Sequence, residues 1–239
     1  MSMAVYVYSI TAKDHPLRLD GLTAVGGSGQ ELRTVTSAEL SAVVSEAPGD
    51  LRPRRRDVLA HQEVQERLMA DGAVLPLRFG FTAPDDEAVK AVLEDRAAEY
   101  REQLKNLQGC AEYHLKVAWD EDSLLRRILE ENDEIRGLNE EIRGGAASPD
   151  MPLMLGELIA NEVQTRQQAL GAGIVEALRP FARDDVATAS AGQDFLSVSF
   201  LVDDSKEEMF LATQLSLANQ VGEECDFRLL GPLPPYSFV

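Results

Sequence analysis

The chain has 239 residues, of which 44% are hydrophobic and 27% charged, a composition that suits a globular protein of one or two domains. Acidic side chains number 41 against 23 basic ones, for a formal net charge of −18. That excess disfavours nucleic acid and anionic membranes as partners, since both are bound through clustered lysine and arginine.

The charge is unevenly placed: residues 1–118 carry a net −4 and residues 119–239 a net −14. Such asymmetry suits two structural units with different surroundings. Cys110 and Cys225, the only cysteines, lie too far apart in too long a chain to read as a disulfide framework, so both are expected reduced and the protein cytoplasmic. Met1 to Ile10 has no basic leader and only a short apolar run, unlike a signal peptide. No apolar stretch reaches bilayer-spanning length.

In chain order, Ala4 to Ile10 is rich in β-branched and aromatic residues and predicts a strand. A loop with Gly26-Gly27-Ser28-Gly29 follows, then two short β-prone runs, Leu32 to Ser37 and Leu40 to Ser45, spaced for a hairpin. Asp57 to Ala70 has Val58, His61, Val64 and Leu68 at helical spacing. Ala73 to Phe81 predicts a strand in which Pro76, lacking an N–H, demands an edge or a bulge. A single long helix is expected over Asp86 to Leu107, striped by Val89, Leu93, Ala97, Tyr100, Leu104 and Leu107.

The second half opens with a strand over Glu112 to Trp119 and a helix over 123–143. The breaker Gly144-Gly145-Ala146-Ala147-Ser148-Pro149 and a helix over 153–179 follow. Strands are then expected at 186–190 and 195–202, joined by a turn at 191–194. A helix from Asp203 or Asp204 through Gly222 should turn Phe210, Leu211, Leu215, Ala218 and Val221 inward. A last strand covers 225–230. The fold class is α+β with two domains. The first spans 1–110. The second, 111–230, has the order β, helical pair, β, β, α, β of a modified ferredoxin-like fold whose first helix is extended and broken. A Pro/aromatic tail occupies 231–239.

Few residues suggest chemistry. The glycine cluster lacks the lysine and hydroxyl of a P-loop. His15, His61 and His114 have no second ligand at metal spacing. The basic run Arg52-Pro53-Arg54-Arg55-Arg56 reads as a solvated lead into a helix, paired with carboxylates. Asp120-Glu121-Asp122 and Asp203-Asp204 precede helices and read as caps. No catalytic, cofactor-binding or metal residues are assigned, and no cofactor is expected.

Two segments stand out. Leu75-Pro76-Leu77-Arg78-Phe79-Gly80-Phe81 holds one guanidinium in an apolar run, and Gly231-Pro232-Leu233-Pro234-Pro235-Tyr236-Ser237-Phe238-Val239 has no charge and three prolines. A stiff apolar tail is suited to docking, on its own domain or on a partner. Together with Val5-Tyr6-Val7-Tyr8, Gly21-Leu22, His61, Val64 and a strand holding Glu112 and Lys116-Val117, these segments resemble the gas vesicle GvpF/GvpL family. The likeness spans the chain, although residues 130–185 carry no placed motif and Leu233 stands where an aromatic is common in the family.

The resemblance implies a non-enzymatic accessory or minor structural protein of gas vesicle assembly. Its partners would be the small hydrophobic shell protein GvpA and other accessory Gvp proteins, and its place the gas-facing side of the shell. The residues expected to meet a partner are Leu75, Leu77, Arg78, Phe79, Phe81, Leu233, Pro235, Tyr236 and Phe238. Two other classes stay open: a ferredoxin-like sensor or adaptor module binding a small molecule in a closed pocket, and an enzyme with a site around Arg78 and His61.

Overall fold

The computed structural model describes residues 4–27, 29–145, 148–190 and 192–239. Ser28 of the glycine-rich loop, Ala146 and Ala147 of the breaker and Ala191 of the 191–194 turn lie outside the described residues. The chain divides into two compact units, residues 1–112 with 231–239, and residues 113–230. The tail therefore belongs to the first unit by its contacts.

The first unit is built on β1 (Val5–Ala12), which pairs antiparallel with β3 (Leu40–Glu46) along its length. Strand β2 (Arg33–Thr36) pairs with β3, forming the hairpin its spacing predicts. On the other side of β1 lie β4 (Val74–Pro76) and β5 (Thr82–Ala83), so Pro76 sits on an edge strand, where its missing N–H breaks no ladder.

Helix α1 (Arg55–Asp71) covers the face bearing Tyr6 and Tyr8. The opposite face, bearing Val7 and Ile10, is covered by α2 (Asp86–Asp95) and α3 (Ala97–Leu107). This double cover explains why seven of the eight residues of β1 are buried and why the strand does not alternate apolar with polar.

Two expectations fail in this unit. The predicted strand over 73–81 stops at Pro76, and residues 77–81 turn back onto β1. Phe81 N–H donates to the Arg78 carbonyl, and Gly80 takes a φ of +97°, which a side chain would strain. The long helix is two helices, because Arg96 leaves helical geometry at φ −103°, ψ 19°. Its guanidinium instead holds Glu99 and the Tyr100 hydroxyl.

The second unit carries most of β6 (Cys110–Trp119) and of β9 (Cys225–Leu233) in a sheet of order β7-β8-β6-β9, with β7 (Ala182–Ala187) and β8 (Asp194–Asp203). Both sheets of the protein are antiparallel. Between β6 and β7 run α4 (Glu121–Glu131), α5 (Asp133–Arg143) and α6 (Met151–Leu178). Three helices therefore stand where a pair is expected. Asn132 makes the extra break: it ends α4 and accepts the Glu134 and Ile135 N–H groups with its side chain to start α5. Leu124, Ile128 and Ile135 pack across this break against Leu158 and Val163 of α6.

Asp120 caps α4 as expected, accepting the Ser123 N–H at 2.9 Å. Asp203 caps a short 3-10 turn, and α7 (Glu207–Val221) starts only after it. Among the inward set expected on α7, only Phe210 is buried, edge-on to Phe200. Leu211 and Leu215 are 37% and 60% exposed, and Ala218 and Val221 are half-buried. Met209 to Val221 holds no charged residue, and its polar side chains (Thr213, Gln214, Ser216, Asn219 and Gln220) are all uncharged, so helical periodicity has no charged face against which to define an apolar one.

Candidate functional site

His61 lies on α1 in a row with Val64, Gln65 and Leu68, residues three to seven positions apart that share the helix face turned to the sheet. Only 3% of its surface is exposed. A buried imidazole must have both nitrogens bonded. Nε2 donates to the Leu77 carbonyl at 3.0 Å, which leaves Nδ1 to accept the Tyr6 hydroxyl at 2.9 Å. The Tyr6 oxygen in turn accepts the Gly80 N–H at 3.1 Å. One histidine thus holds the 77–80 turn through two bonds, one direct and one through Tyr6.

Gln65, one turn along, accepts the Ser9 hydroxyl at 2.5 Å and donates to the Tyr8 carbonyl. Tyr8 stacks on the His61 ring at 5.6 Å and accepts the Val25 N–H at 2.8 Å. Burial pushes the His61 pKa down from 6.5 to about 4, the Leu77 carbonyl opposing this, so the ring is neutral at neutral pH. Burial likewise pushes the Tyr6 and Tyr8 hydroxyls up, which keeps both protonated.

The C-terminal tail arrives at the same place. Tyr236 Oη lies 3.3 Å from His61 Nε2, and burial pushes its pKa up to about 12. The next residue, Ser237, donates its N–H and its hydroxyl to the Glu112 carboxylate at 2.9 and 2.7 Å. Glu112 is itself buried. Pro234 and Pro235 are buried, while Leu233, Tyr236 and Phe238 are half-buried.

The structure therefore brings Leu77, Phe79 and Tyr236 together around His61, with the Phe79 ring 5.8 Å from the imidazole. Leu75 is buried in β4. Arg78 and Phe81 are the members of the expected partner-contact set that stand in solvent, Phe81 with 54% of its surface exposed. Gln65, Tyr6 and the tail-binding part of Glu112 were not assigned from sequence. The His61/Gln65 pair at i, i+4 inside an apolar row was a legible sign of a buried polar contact.

The remaining candidates fall elsewhere. Arg52 and Arg54 pair with Asp50, and Arg56 with Asp57. His15 bonds the Leu68 carbonyl at 3.0 Å. Among the described residues no group of three or more His, Cys, Asp or Glu is placed to hold a metal, and no helix is long and apolar enough to cross a membrane.

These features define a two-unit α+β protein whose first unit clamps an apolar turn and its own C-terminus on one buried histidine. Residues 4–239 match the family described as gas vesicle synthesis protein GvpL/GvpF, and the chain belongs to that family. It is 40% identical to gas vesicle protein F of a Streptomyces species, over 99% of this chain and all of that one. It is 23% identical to gas vesicle protein L1 of Halobacterium salinarum, over 95% of this chain and 82% of that one. The crystal structure of GvpF from Anabaena sp. superposes with a TM-score of 0.86 at 23% identity, covering 99% of this chain and 98% of that one. The protein accordingly has a role in gas vesicle assembly.

Proposed function

We propose that the chain is a non-enzymatic accessory protein that binds the small hydrophobic shell protein GvpA, and other Gvp proteins, during vesicle assembly. The carrying observation is the presentation of Arg78 and Phe81 in solvent, beside an edge strand, by a turn whose backbone is fixed from beneath by His61 and Tyr6. A shell subunit exposes apolar β surface before it assembles and is then prone to aggregate. A sheet edge accepts such a strand through its backbone, and an exposed aromatic and a guanidinium beside it supply side-chain contacts. The net charge of −18 keeps the complex soluble by repulsion between complexes. The same proposal places the protein in the cytoplasm and, once bound, on the gas-facing side of the shell.

The expected contact set is narrowed by this reading. Arg78 and Phe81 meet the partner directly. Leu75, Leu77, Phe79, Leu233, Pro235, Tyr236 and Phe238 shape and hold the surface from within the first unit. The test is capture of co-expressed shell protein by the purified chain, by Arg78→Glu with Phe81→Ser, and by a chain lacking residues 231–239. Loss of capture in the double variant, with the fold intact by circular dichroism, is the expected result. Undiminished capture by both altered chains overturns the proposal.

A further inference from the structure

Beside the 77–81 turn, the first unit holds a cleft of about 250 Å³ between the sheet and α2. Its floor is Val7, Ile10 and Ala42, and its walls include Phe81, Val89 and Val92. Among the described residues no charged side chain lines it. The volume falls below the roughly 300–1,000 Å³ of pockets that enclose small-molecule ligands, and suits one large side chain. Phe81 and Val92, both lining it, are 54% and 47% exposed and form its lips, so water meets apolar surface at the opening. An apolar pocket with exposed apolar lips is the receiving half of a side-chain anchor.

The electrostatics select the occupant. The helix that forms one wall, with its two caps, carries Asp85, Asp86, Glu87, Glu94 and Asp95 against Lys90 and the C-cap Arg96, whose guanidinium is already paired with Glu99. Asp86 is neutralised by Arg33 through two bonds of 2.7 and 2.8 Å. Asp85 spends one oxygen on the Ala88 N–H. Glu87, Glu94 and Asp95 make no ion pair among the described residues. Ala88, Val92 and Asp95 share one face of the helix by their spacing, and the capping Asp85 precedes them in the chain, so the apolar lip is bracketed in sequence by carboxylates. A second copy of this chain, itself at −18, is repelled from such a surface.

We infer that this cleft takes an aliphatic or aromatic side chain from a protein partner's apolar segment that carries lysine or arginine beside the inserted residue. The inference rests on the assembly reading in expecting a protein occupant, and its test is separate from shell-protein capture. Fluorescence anisotropy is read for the full chain against a labelled nine-residue peptide, a leucine-isoleucine core between lysines. Two controls replace the core by serines or the lysines by glutamates.

The expected result is binding of the lysine-flanked apolar peptide, weakened about tenfold or more by Val92→Arg, a substitution at an exposed position. Glu94→Lys with Asp95→Lys should abolish the preference for lysine over glutamate flanks. Should Val92→Arg not fold, Val92→Ser serves in its place. Equal binding of the serine peptide, or no effect of either lip variant, overturns the inference. So does sedimentation showing a dimer of the chain that Val92→Arg dissociates, since a second copy would then fill the cleft. Shell-protein capture that survives Val92→Arg leaves the assembly reading standing whatever the peptide does, and loss of peptide binding alone leaves shell-protein capture to be judged by its own variants.

Discussion

The 77–81 turn and the 231–239 tail are held by the same histidine, yet they meet solvent differently. The turn gives its backbone to His61 and Tyr6 and leaves Arg78 and Phe81 outside. The tail does the reverse: it buries Pro234 and Pro235 and gives Tyr236 and Ser237 to buried polar groups. Both are apolar segments in the sequence. What separates them is where their hydrogen bonds go. A segment fixed through its main chain alone is free to display side chains, whereas one that also commits side-chain hydroxyls, as the tail does at Tyr236 and Ser237, is spent on the fold.

The strongest way to break this contrast is to remove its shared centre. His61→Ala opens a cavity and leaves the Leu77 carbonyl and the Tyr6 hydroxyl without their partner, for a loss of about 4 kcal/mol of stability. Chemical denaturation reads it, and a loss below about 1 kcal/mol would mean that the histidine holds neither segment.

A pH series sharpens the same point with no cavity made. The folded imidazole sits at about 4, whereas in the unfolded chain it returns to about 6.5. As pH falls through 6.5 the unfolded state takes up a proton that the folded state refuses. Stability therefore drops between about pH 6.5 and 4, by about 3 kcal/mol from this residue. His61→Gln should lack that part of the slope. An unchanged slope would mean that the ring is not held neutral by burial.

Smaller effects divide the two segments. Glu112→Ala removes the acceptor of two Ser237 bonds, and should cost about 2 kcal/mol and raise proteolysis at the C-terminus without altering the turn. Phe81→Ser should change stability least, within about 0.5 kcal/mol, because the ring is mostly in solvent. A large loss of stability in Phe81→Ser would show that the turn, like the tail, is spent on the fold.

Local chemistry was enough to place most strands and helices, the β2–β3 hairpin, the choice of edge or bulge at Pro76 that the structure resolves as an edge, and the Asp120 cap. These depend on periodicity, on a missing N–H and on side chains that reach only a few residues. The Asn132 break was visible in principle, as a capping residue inside an apolar stripe that nonetheless reads as continuous. The two motif-bearing segments were also legible, and with them the family.

Only the tertiary structure decided what those segments do. Tyr236 and His61 are 175 positions apart, and Ser237 and Glu112 are 125 apart, so no local pattern links them. On α7 the absence of charge after Glu208, with Thr213, Gln214, Ser216, Asn219 and Gln220 scattered among the apolar residues, left the buried face undetermined until Phe210 met Phe200. Sequence periodicity records which side chains prefer to leave water. It carries no record of which distant group will satisfy a buried donor or acceptor, because that pairing is set by the path of the whole chain.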